Sequence, residues 1–267
     1  MTALSDEQGF SDEPGFSDRF GPVDEVEGQT RPAKSEQTRT LILETALRLF
    51  QENGYDRTTM RAIAKEAGVS VGNAYYYFAS KEHLVQGFYD RMADDHRDRF
   101  RDAVAGRSDF RERLQATLET WLDVAAPYHE FSAQLFKNAA DPNSPLSPFS
   151  RESAPAREAM FAIYADVLTG SDAKVDAELA QMLPELLWLY HLGIVLYWVY
   201  DRSPGAERTR RLVARCTVLV ARLVALSRFK LLRPLVREVK DLLNEFLLVG
   251  PAKRSGTATR SGTVKPQ

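Results

Sequence analysis

The chain has 267 residues, is 44% hydrophobic and carries a formal charge of −2 at pH 7, enough apolar material for one large domain or two modest ones. Its single cysteine, Cys216, excludes an internal disulfide, and the N-terminus lacks the basic and apolar regions of a signal peptide. The longest apolar run, Leu186–Tyr200, is broken by His191 and falls short of the roughly 20 residues of a bilayer span, so a cytoplasmic protein with no membrane partner is expected.

The first segment, 1–35, repeats itself imperfectly as SDEQGF, SDEPGF and SDRF. Its acids (Asp6, Glu7, Asp12, Glu13, Asp18, Asp24, Glu25 and Glu27) outweigh Arg19, Arg31 and Lys34. Acid, glycine and serine with isolated phenylalanines bury too little surface to offset ordering, which predicts a disordered acidic arm. The last segment, 250–267, holds Lys253, Arg254, Arg260 and Lys265 with no acid and is expected to be a disordered basic tail. A near-neutral total therefore does not exclude a polyanionic partner, because the local field at the contact decides.

Between these ends the chain reads as about ten helices and no sheet. Ile42, Ala46, Leu49 and Phe50 share one helical face, and Gly54 stands where a C-cap belongs. Thr58 is read as the cap of the next helix, TMRAIAKEA, which Gly68 ends. Ser70 caps a third short helix reaching Phe78, and Ser80 a long fourth one with Glu82 in its first turn, where the helix dipole favours an acid.

The pair of helices joined by EAGVS has the layout of a helix-turn-helix, in which the second helix enters the major groove with its N-terminal residues toward base edges. Small residues at Ser70, Gly72 and Asn73 permit close approach, and Asn73 suits an adenine edge. Tyr75, Tyr76 and Tyr77 fan around the helix, so they divide between core and surface. Tyr75 fits either a phosphate contact or an inward face with Phe78, whereas Tyr76 fits a phosphate contact. Lys81 and the free N–H groups at the start of the fourth helix make an anion site, with solvated lysine as the plainer alternative. Thr59 and Arg61 stand at the front of the preceding helix, which crosses the backbone.

The whole stretch from Thr38 to Val85 resembles the DNA-binding domain of the tetracycline-repressor (TetR/AcrR) family. The pattern is carried by Ala46, Leu49–Phe50, Gly54–Tyr55, Thr58–Thr59, Ile63–Ala64, Gly68–Val69–Ser70, Gly72, Tyr75, Phe78, Lys81–Glu82 and Leu84, with Ala74 a departure from the larger aliphatic residue common there. The resemblance implies an all-α fold: a helix-turn-helix DNA-binding domain over 36–82 and a larger helical ligand-binding and dimerisation domain over 83–249. It places DNA contacts on Thr59, Ser70, Gly72, Asn73, Tyr75, Tyr76 and Lys81, to which the position of Arg61 adds one more.

In the larger domain, DFRERLQATLETWLDVAA reads as an amphipathic helix and APAREAMFAIYADVLTG as another helix, on either side of the turn-rich DPNSPLSPFS. LPELLWLYHLGIVLYWVY is apolar on every side and is expected to be buried all round, by its own domain and a second chain. In the last helix Leu212, Cys216, Leu219, Leu223 and Leu226 form a stripe opposite Arg208, Arg211, Arg215 and Arg222. With Tyr197 they are the expected homodimer seam. Trp121, Tyr128, Phe131, Phe136, Phe161, Tyr164, Trp188 and His191 are candidates to line a pocket for an apolar or aromatic effector. His191 fits equally a buried histidine, a ligand anchor or an interface residue.

Enzyme readings fail on inventory, with no Gly-rich phosphate loop, no metal-ligand cluster and no cofactor implied; His83 and His96 stand thirteen positions apart, and DRMADDHRDRFRD reads as a solvated face. The expected function is a ligand-relieved repressor binding double-stranded DNA at a near-palindromic operator. A non-specific nucleoid-type binder, or a small-molecule sensor without an operator, is the alternative.

Overall fold

The computed structural model describes residues 30–227 and isolated helical positions at 234, 238, 241, 242 and 245. The arm before residue 30, the basic tail over 250–267 and most positions between 228 and 249 lie outside the described residues. Among the described residues every regular element is helical. The first helix, α1 (Thr30–Asn53), starts inside the stretch assigned to the arm. Pro32 falls in its first turn, where the missing N–H goes unneeded, and Ala33, Lys34, Glu36 and Gln37 favour helix.

Three short steps follow. Gly54 at φ +85 turns the chain out of α1, and Gly68 at φ +67 separates α2 (Met60–Glu66) from α3 (Val71–Tyr77). The cap of α2 is Thr59, not Thr58: its extended backbone lets its side chain accept from the Ala62 N–H. Thr58 is buried instead and donates its hydroxyl to the carbonyls of Leu49 and Gly54, closing the α1–α2 turn. Ser70 and Ser80 cap α3 and α4 (Lys81–Val104) as expected.

The remaining helices are α5 (Phe110–Ala125), α6 (His129–Ala139), α7 (Ala154–Thr169), α8 (Ala177–Tyr200) and α9 (Glu207–Leu226), with 3-10 turns at Ala126–Tyr128 and Pro204–Ala206. Two apolar clusters result. One joins α1, α2, α3 and the start of α4 through Ile42, Phe50, Ile63, Phe78, Leu84 and Phe88, and recruits Phe131 and Leu135 of α6 and Leu146. The other joins the end of α4 to α5, α7, α8 and α9. Met92 packs against both, so α4 is common to the two cores.

As folded, α8 has 24 residues and is long and apolar enough to cross a membrane by length and composition, longer than the apolar run suggests. It packs as a core helix, burying Leu179, Leu183, Leu187, Trp188, Ile194 and Trp198, while Leu196, Tyr197 and Tyr200 stay exposed. Burial all round is therefore not met within one chain. Asp201 ends α8 and ties it to α9, accepting from the N–H and hydroxyl of both Ser203 and Thr209. Burial would raise this carboxyl, but those four bonds hold it well below the usual range.

Candidate functional site

The α2–α3 pair presents one continuous face. Thr59, Arg61, Ser70, Gly72, Tyr75 and Tyr76 are exposed and Asn73 half-buried. Ala74 alone turns fully inward on α3, where its small side chain lets the helix sit close to the first core. The tyrosines divide accordingly. Tyr76 is 81% exposed and Tyr75 50%, whereas Tyr77 is half-buried with its ring edge-on to Tyr76 at 5.2 Å between centroids. Tyr75 is therefore not the inward residue. The Ser70 side chain accepts from the Asn73 N–H, as Thr59 does from Ala62, so both hydroxyl groups set helix starts as well as facing outward.

Lys81 is half-buried and not free. Its ammonium donates to the Tyr55 carbonyl at 2.8 Å and lies 4.3 Å from the centroid of the Tyr55 ring. The Tyr55 hydroxyl donates in turn to Glu82 at 2.9 Å. Burial, and then the bond to Glu82, raises this phenol, so it stays protonated as a donor. Tyr55, absent from the candidate site residues, thus locks the start of α4 to the α1–α2 turn. One ammonium at a helix start, with donors left over, still suits a phosphate.

The aromatics of the larger half do not gather in one place. Trp121, Tyr164 and His191 meet: the Tyr164 hydroxyl is hydrogen-bonded to Nδ1 of His191 at 2.6 Å, and Trp121 stands edge-on to His191 with ring centroids 4.6 Å apart. Phe161 and Trp188 form a second group with exposed Phe149. Tyr128 and Phe131 pack on Phe88 in the first core, because α6 leans on α1 and α4. Phe136 stacks edge-on to Tyr200. A single pocket lined by all of them is not what the fold builds.

Two groups absent from the candidate residues stand out. Arg113 is buried, forms no salt bridge among the described residues, and donates to the carbonyls of Val104, Arg107, Asp166 and Val167, clasping the ends of α4 and α7. His96 is fully buried, not on a solvated face. The signal was present, since Leu84, Phe88, Met92, His96, Phe100 and Val104 recur every four residues.

The model of the group described as "Bacterial regulatory proteins, tetR family" matches residues 42–87, and that described as "Tetracyclin repressor-like, C-terminal domain" matches 113–242. The chain belongs to the tetracycline-repressor family. Among curated relatives it is 33% identical over 108 residues to the HTH-type transcriptional repressor KstR2 of Rhodococcus jostii, covering 40% of this chain and 50% of that one. To the regulator UidR of Escherichia coli K12 it is 37% identical over 73 residues, covering 27% of this chain and 37% of that one. The chain thus spans half or less of the curated relatives' length. The fold matches the solved TetR regulator of Nitrosomonas europaea with a TM-score of 0.55 at 19% identity, covering 69% of this chain and 98% of that one. It also matches FadR of Bacillus subtilis, solved with stearoyl-CoA, with a TM-score of 0.53 at 19% identity, covering 67% of this chain and 97% of that one.

In TetR-family terms the exposed apolar residues of α8 and α9 fall where the seam was expected. Leu219, Leu223 and Leu226 are 57%, 67% and 47% exposed, and Tyr197 is exposed beside Tyr200. Leu212 and Cys216 are half-buried, and Leu212 packs against its own core.

Proposed function

We propose that this TetR-family chain is a ligand-relieved transcriptional repressor that binds a near-palindromic operator as a cytoplasmic homodimer and catalyses nothing. The observation that carries the reading is the α2–α3 face. Its groove-sized residues at Ser70, Gly72 and Asn73 are flanked by two exposed tyrosines, with Arg61 beside them and Lys81 at the next helix start. Hydroxyl and ammonium groups position on phosphates, while Asn73 reads a base edge. The exposed leucine stripe of α9 with Tyr197 supports pairing, since a monomer rarely leaves so contiguous an apolar strip in water. Two-fold pairing sets two reading helices at the spacing of successive major grooves. An effector relieves repression by binding better to a state in which α4 carries that spacing out of register, and it shifts the population only as far as it prefers that state.

The test is selection of fragments from sheared genomic DNA by the purified chain at physiological salt, with bulk competitor present. Enrichment of a mirrored motif is expected, with Asn73→Ala relaxing one base pair in each half. Even coverage would favour a nucleoid-type binder, and no capture at all a sensor without an operator.

A further inference from the structure

The middle of the second core contains a group of polar rings that packing alone does not explain. His96 comes from α4, Trp121 from α5, Tyr164 from α7, and Tyr190 and His191 from α8. Nε2 of His96 lies 2.9 Å from the Thr117 carbonyl. A carbonyl only accepts, so this nitrogen carries the proton and Nδ1 presents a bare lone pair. Among the described residues, Nδ1 of His96 and the hydroxyl of Tyr190 are the buried side-chain polar atoms without a hydrogen-bond partner. His96 is 0% exposed. Native cores keep few such atoms, because each one weakens the fold.

The surroundings also define the charge of what could fit. Burial pushes His96 down to about 4, and burial together with the neighbouring His96 pushes His191 down to about 3, so both rings are neutral at pH 7. Burial keeps the Tyr164 phenol protonated, so its hydrogen bond to His191 joins two uncharged groups. Arg113, the buried cation among the described residues, spends its donors on four backbone carbonyls. An anionic head group would arrive here stripped of water with no counter-charge, whereas an uncharged donor would satisfy the lone pair.

We propose that this cluster recognises the polar end of an uncharged, otherwise apolar ligand, whose hydroxyl or N–H donates to Nδ1 of His96. The proposal rests on the ligand-responsive reading above and names the chemistry of its effector. Because His96 belongs to α4, a ligand held there acts on the helix that carries the reading unit. Its bond to Thr117 on α5 makes the separation of α4 from α5 the variable that ligand entry changes.

The test uses the full chain without DNA, titrated with two matched series and followed by calorimetry and tryptophan fluorescence. One series is biphenyl, 4-hydroxybiphenyl and biphenyl-4-carboxylate; the other is dodecane, dodecanol and dodecanoate. In at least one series the hydroxyl compound should bind tenfold or more tightly than both companions. His96→Leu should bring it within about twofold of the hydrocarbon while leaving Tm unchanged or raised, since an orphaned acceptor is removed. His96→Gln, which retains a donor for Thr117 and an acceptor for ligand, should keep the preference. Tightest binding of a carboxylate overturns the proposal. So does a hydroxyl preference that survives His96→Leu or is lost equally in His96→Gln, and so does failure of both series to bind. The operator reading stands or falls separately on the fragment selection, so the two failures are distinguishable.

Discussion

Replacing Gly170 by alanine places one carbon where the Arg113 guanidinium lies. The backbone there, at φ −81 and ψ 2, is open to any residue, so the whole penalty must come from displacing the arginine. Arg113 serves four carbonyls, of which Val104 also receives the Arg107 N–H and Asp166 the Gly170 N–H. The carbonyls of Arg107 and Val167 have no second bond of that kind among the described residues. Two orphaned carbonyls at about 1–3 kcal/mol each put the loss near 3 kcal/mol. Arg113→Met, which keeps an apolar stem, should lose a similar amount for the same reason. In that background Gly170→Ala should be neutral, or stabilise by about 0.5 kcal/mol through the unfolded chain. Urea unfolding of the four proteins closes the cycle, with an expected coupling of about 3 kcal/mol. Costs that add to within about 0.5 kcal/mol would refute the clasp.

Three further outcomes are expected. Lys81→Ala should weaken binding to all DNA sequences and reduce the salt slope by about one, with Tyr76→Phe weakening it uniformly; an unchanged Lys81→Ala slope in gel shifts would argue against phosphate contact. Leu219→Arg with Leu223→Arg should yield monomers in sedimentation, and a persistent dimer would put the seam elsewhere. Because burial holds His96 and His191 in the folded chain at about 4 and about 3, the unfolded chain takes up their protons first as pH falls below about 6.5. Stability should be full above that pH and decline toward pH 4, by up to about 1.4 kcal/mol per unit for each histidine. His96→Gln should shed one proton's share of that slope in urea unfolding between pH 7 and 4.5.

The helical class, the α2–α3 pair and the caps at Ser70 and Ser80 were legible because each depends on residues close in sequence. Gly68 between two apolar runs leaves little choice of where the turn falls. Adjacent Thr58 and Thr59 were not separable, since either hydroxyl could cap; the deciding fact is that the Leu49 carbonyl, nine residues back, accepts from Thr58. The outward placement of Ser70, Gly72 and Tyr76 followed from local helix geometry, yet Lys81's hold on Tyr55 spans 26 positions and left no local trace. The aromatic set failed differently. Composition names rings but not neighbours: Tyr128 in the 3-10 turn and Phe131 on α6 joined the first core, while Tyr164, with His191 bonded to it, went to the second. His96 was misread because its flanking acids and arginines masked a four-residue period.

Helix α4 has 24 residues, so it is about 36 Å long. Arg113 grips its far end, and Tyr55 fastens its near end to the reading unit. If α4 pivots at the guanidinium, as the proposed relief of repression requires, a tilt of about 10° there would sweep the near end through about 6 Å, roughly half the width of a major groove. A sub-ångström wedge beside the fulcrum would then be multiplied along the shaft before it met the duplex.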